Sequence, residues 1–96
     1  MKRYFVKITE TATEAHPYDA GRQLITIVGK GGHMVARSDN KDPLCIVRKT
    51  LAPLRIGQQS RVYGYDDKES AAMSPAANTE GNIWWTVDVE VMEVEL

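Results

Sequence analysis

From Ile83 to Leu96 apolar and polar residues alternate almost without a break. Trp85, Val87, Val89 and Val91 fall on one side; Thr86, Asp88 and Glu90 fall on the other. Side chains of a β-strand point to opposite faces in turn, so this stretch predicts a long strand buried on one face. Its β-branched and aromatic content agrees. The phase flips at Val91-Met92, after which Val94 and Leu96 share the parity of Met92. A bulge there, inserting one residue, would return Met92, Val94 and Leu96 to the buried face. The sheet is expected to be built on this strand.

Residues 2–11 predict another strand. Tyr4, Val6 and Ile8 share one face and Lys7 and Thr9 the other, with Phe5 off the pattern, free to cover an edge or meet a partner. Thr11 to Ala20 is a polar connection holding Pro17 and Asp19. Arg22 to Val28 is apolar on both faces and predicts a central strand with both sides covered. The Gly29-Lys30-Gly31-Gly32 run predicts a hairpin turn, since glycine accepts positive φ. His33 to Ser38 would be the return strand. Asp42-Pro43 followed by Leu44, Val47, Leu51 and Leu54 suggests a short helix within 43–52. The alternative is a strand at Leu44 to Arg48. Ser60 to Tyr65 reads as a further strand. Asp66 to Gly81 reads mainly as a loop or lid, with room for one helical turn at Glu69 to Met73. The sum is one α+β domain over residues 1–96: a small, mainly antiparallel twisted sheet of about five strands with one short helix.

Composition narrows the class without naming a chemistry. Over 96 residues, 43% are hydrophobic and 26% charged, as in a folded water-facing domain. The apolar runs are too short to cross a bilayer as helices, and the basic N-terminus lacks the apolar stretch of a signal peptide. A single cysteine, Cys45, excludes an internal disulfide. A cytoplasmic location and no membrane partner are therefore expected. Charge is lopsided. Residues 1–61 hold eleven Lys/Arg against five acids, and residues 62–96 hold one lysine against eight acids. Such asymmetry marks either a nucleic-acid face or an acidic last strand paired with basic neighbours.

No residue set forces a reaction. His16, His33 and Cys45 do not fall at metal-ligand spacings, so neither a metal nor a cofactor is expected. Cys45 lies in an apolar run, where a thiol packs as a small hydrophobe rather than as an activated nucleophile. The glycine run lacks the strand-to-helix pattern of a phosphate loop. A basic patch of Arg22, Lys30, Arg37, Arg48 and Lys49, with Tyr63 and Tyr65 alternating nearby, makes single-stranded nucleic acid a candidate ligand. The Trp84-Trp85 doublet puts one indole on each face of the last strand. One is expected in the core; the other lies under a loop or is exposed as a binding wall.

The order of features also resembles the FKBP-type prolyl isomerase family over about residues 21–96. The run Val87-Asp88-Val89-Glu90-Val91-Met92-Glu93-Val94-Glu95 resembles that family's closing strand. Leu54-Arg55-Ile56-Gly57-Gln58 resembles the turn before its penultimate long strand, and Ser74-Pro75 its proline-bearing loop. Gly21, Leu24 to Gly29, Ser38 and Pro43 run collinearly with it. The resemblance implies a shared fold but an incomplete isomerase pocket. Residues 44–54 hold no aromatic, Ala36 and Arg37 stand where an aromatic-aspartate pair would be, and Val87 replaces the last aromatic. No catalytic residue carries over by motif.

The expectation is a non-enzymatic binding module for a protein or a small apolar ligand, with Trp84, Tyr63, Tyr65 and Met73 as the contact residues. The alternatives are a degenerate isomerase and single-stranded nucleic-acid binding. A homodimer through sheet edges of opposite charge is a further candidate.

Overall fold

The computed structural model describes residues 2–39 and 64–95. Four strands, β1 (Lys2–Ala12), β2 (Gln23–Val28), β3 (Met34–Ser38) and β4 (Trp85–Glu95), form one antiparallel sheet in the order β3-β2-β1-β4. One short helix, α1 (Lys68–Ala72), and a single 3-10 turn at Pro75–Asn78 follow Tyr65. The small antiparallel α+β expectation holds, with four strands among the described residues instead of about five. Of the expected strand Ser60 to Tyr65, residues 60–63 lie outside the described residues. Tyr65 itself makes an isolated bridge to Tyr4. The expected helix within 43–52 also lies outside them. The Gly29–Gly32 hairpin forms as read, with Gly31 at φ 76° and Gly32 at φ 79°.

Among the described strands β2 and β1 are interior, and the valine-rich β4 is an edge. Strands β1 and β4 pair over eleven consecutive positions, from Lys2 opposite Glu95 to Ala12 opposite Trp85, with no shift. The expected bulge at Val91-Met92 is therefore absent. The phase flips for another reason: both faces of the sheet are buried, at different places. Residues directly opposite one another share a face. Val6 lies opposite Val28 and Val91, and Ile8 opposite Val89. This face is covered by α1, the 3-10 turn and Tyr65, which bring Ala71, Ala76 and Ala77 onto it. On the other face Phe5 lies opposite Met92 and packs with Ile25, Ile27 and Val94. Phe5 is fully buried, so it neither covers an edge nor awaits a partner.

Among the described residues, part of the charge asymmetry is met by pairs across the β1–β4 ladder. Lys7 sits opposite Glu90 with a 3.6 Å ion pair, and Lys2 reaches Glu93 at 3.3 Å. The Glu93 carboxylate beside it holds the Lys2 ammonium pKa above its ordinary value. No helix among the described residues is long and apolar enough to cross a membrane.

Candidate functional site

Several local hydrogen bonds outside the sheet ladder gather at the end where β1 leaves and β4 enters. Asn82 makes the entry turn: its Oδ1 accepts the N–H groups of Trp84 (2.9 Å) and Trp85 (3.0 Å). A short side-chain amide suits such a turn because it bonds backbone two and three residues on. The Asn82 N–H donates to the Trp85 carbonyl at 2.9 Å. Thr13 ties this turn to the end of β1, its N–H donating to the Trp84 carbonyl (2.8 Å) and its Oγ1 to that of Ile83 (2.6 Å). Gly81 is pressed against the same backbone. A Cβ on Gly81 would stand 2.5 Å from the Trp85 carbonyl oxygen, so glycine is required there.

The connection from β1 to β2 folds onto this turn. The His16 ring meets the Trp85 ring edge-on, at 5.1 Å between centroids and 75° between planes. Its Nδ1 accepts the backbone N–H groups of Tyr18 (3.3 Å) and Asp19 (3.1 Å). That arrangement assigns the neutral ring's proton to Nε2. Gly21, at φ 86°, then turns the chain back so that its N–H reaches the Ala12 carbonyl at 2.8 Å. The result is a braced end from which three large apolar side chains project: Tyr18 is 90% exposed, Ile83 71% and Trp84 48%.

Of the expected contact set, the described Tyr65 and Trp84 lie toward opposite ends of β1. Tyr65 bridges Tyr4, whereas Trp85 lies opposite Ala12. Eight steps along β1 separate those positions, about 27 Å at the usual rise. Tyr65 is 8% exposed and packs with Val6, Ile8, Val28 and Ala71, so it is mainly core. Trp84 is exposed as one alternative required, but Trp85 is only half-buried, so neither indole is full core. Met73 caps the C-terminal end of α1 and is exposed. Tyr63 lies outside the described residues.

Of the expected basic patch, Arg22, Lys30 and Arg37 are among the described residues. Arg22 pairs with Asp19 (3.6 Å), Lys30 with Asp66 (3.9 Å) and Arg37 with Glu10 (3.8 Å). Arg48 and Lys49 lie outside the described residues. The three described cations stand just before β2, in the β2–β3 turn and on β3, each beside a carboxylate that reduces its pull on a phosphate backbone. No group of three or more metal-ligating side chains occurs among the described residues.

No protein-family model, curated protein or solved structure matches this chain. The site rests on its own geometry. Tyr18 and Ile83 were missed from the sequence. Tyr18 sat in a segment read as a polar connection, and an aromatic between Pro17 and Asp19 was the available signal. Ile83 was assigned to the strand, although Gly81-Asn82 is a turn pair that delays the strand to Trp85.

A concavity lies at the other end of the sheet, where Tyr65 is. It is an open depression of about 410 Å³ between the Gly31-Gly32 turn, Tyr65, Ser70, Ser74 and Pro75. The Ser74 hydroxyl is already donated to the Ala71 carbonyl at 2.7 Å.

Proposed function

We propose that this chain is a non-enzymatic binding module that takes a protein partner on the end carrying Tyr18, Ile83 and Trp84. One observation carries the reading: large apolar side chains stand exposed on backbone fixed by Thr13 and Asn82. Exposed aromatics on a pre-ordered support lose little entropy on binding, which is how interface anchors gain affinity. A cross-linker carried beside the patch, used in a cell extract, tests it. The unaltered chain should retain species that Trp84→Ala and Tyr18→Ala lose and that Met34→Ala keeps. The melting transition of Trp84→Ala should stay close to that of the unaltered chain. The same species recovered from every variant, or a large drop in melting temperature, would count against the reading.

A small apolar ligand is the second reading, favoured by the depression beside Tyr65. Its volume falls in the lower part of the range common for small-molecule sites, roughly 300–1,000 Å³. Aromatic fragments should then shift the amide resonances of Ser70 and Gly32 before those of Trp84.

A further inference from the structure

The outer side of β4 is a second surface, separate from the Tyr18–Trp84 end. The hydrogen-bond phase of the ladder shows which backbone groups face outward. Thr13 N–H bonds the Trp84 carbonyl, and the register runs unshifted from there, so residues 86, 88, 90, 92 and 94 point their backbone groups at β1. Residues 85, 87, 89, 91 and 93 point theirs away. At Trp85 this side is occupied by Asn82, and Gly81 crowds the backbone as far as Val87. At Val89, Val91 and Glu93 no described residue pairs with the outward N–H and C=O groups.

Sheet edges are ordinarily blunted by brevity, proline or a bulge. The opposite edge, β3, is five residues long and its pairing with β2 carries a register shift. By contrast β4 runs eleven residues, holds no proline and pairs with β1 without a shift. Its remaining defence is charge. Asp88 and Glu90 are exposed on the Phe5 face, while Val89 and Val91 are half-buried on the helix face. A second β4 laid against this one would gather Asp88, Glu90 and Glu93 from both copies into one ribbon, which opposes self-pairing. Lys7 and Lys2 offset part of the charge of Glu90 and Glu93, so Asp88 contributes most to the attraction this edge exerts on a strand of opposite charge.

We infer that the Val89–Glu93 edge of β4 accepts an extended segment of a partner protein in which apolar residues alternate with Lys or Arg. The apolar residues of that segment lie beside Val89 and Val91, and the basic ones beside Asp88 and Glu90. Backbone hydrogen bonds to the outward groups supply the attachment, and the alternation sets the register.

The test uses the whole chain and a capped peptide in which valine and lysine alternate, followed by amide hydrogen exchange. In the free chain the amides of Val89 and Val91 should exchange about tenfold or more faster than those of Asp88 and Glu90. The peptide should slow Val89 and Val91 selectively. Asp88→Lys should weaken its uptake about tenfold. Methylating alternate backbone nitrogens of the peptide, on its pairing side, should abolish the protection, and a valine-glutamate peptide should give none. Outward amides already protected in the free chain would overturn the inference. Equal binding of the methylated peptide would reduce the effect to charge alone and overturn it too. Light scattering showing a dimer, with Val89 and Val91 protected in it, would mean that a second copy occupies the edge and would overturn the inference as well. Trp84→Ala should leave the peptide response unchanged, so failure here leaves the reading of the Tyr18–Trp84 end standing.

Discussion

Phe5 occupies the place in β1 where a one-sided reading of alternation fails. It stands between Tyr4 and Val6, so its parity is wrong for a strand with one solvated face, yet it is fully buried opposite Met92. The adjacent pairs Phe5-Val6 and Val91-Met92 mark the same level of the sheet, where apolar packing exists on both sides at once. Parity alone cannot separate that situation from a bulge, because each puts two apolar residues in succession. Phe5→Ala should cost about 3–5 kcal/mol in a urea melt, the usual range for emptying a well-packed aromatic site. An exposed or edge-covering Phe5 would lose only a few tenths. Trp84 was legible as a binding candidate because a tryptophan doublet must place one ring off the main face. Tyr65 was not legible as core, since its bridge to Tyr4 depends on a partner sixty-one positions earlier in the chain.

Among elements, α1 shows how a very short helix persists. Five residues are too few to repay nucleation unaided, so its stability comes from its cap and its packing. Asp67 is the N-cap, its Oδ1 accepting the Ser70 N–H at 2.7 Å, and Ala71 is buried on the sheet. The segment Glu69 to Met73 has room for one helical turn, and the Asp67–Ser70 spacing is the sequence sign that it forms. The Ser70 N–H bond holds the Asp67 carboxyl below its ordinary pKa. The charged form is therefore favoured in the folded chain. Its contribution is complete above the ordinary carboxylate range and disappears as pH falls through the lowered folded value. The Ser70 amide resonance should titrate at that lowered value, and Asp67→Asn should remove the titration while keeping much of the helix. The strands were legible because alternation is local. The joint site of Trp84 and Tyr65 was not, because only the register reveals that the two sit at opposite ends of β1.

For the molecule as a whole, the division into a basic first part and an acidic last part is bridged, among the described residues, by Lys2 with Glu93, Lys7 with Glu90 and Lys30 with Asp66, while Arg22 and Arg37 pair within the basic part. Lys2, Lys7, Arg22, Lys30 and Arg37 each sit within 4 Å of a carboxylate. Exposed pairs of this kind contribute about 0–1 kcal/mol each, so they matter more for the outward field than for stability. Single-stranded RNA and DNA should accordingly leave the protein unshifted in a low-salt gel, and a salt-sensitive shift would instead favour the nucleic-acid reading.

The ladder between β1 and β4 has a consequence for how the chain tolerates insertions and deletions. Because Phe5 and Met92 are sunk on one side while Val6 and Val91 are sunk on the other, removing one residue from the middle of either strand leaves no compensating slide. Shifting by one step turns every later side chain over, driving Lys7 or Glu90 toward Ala71 and lifting Val6 or Val91 out of it. Shifting by two restores orientation but separates Lys7 from Glu90 and leaves an end unmatched. Length in these two strands is therefore far less negotiable than the identity of any solvent-facing residue they carry.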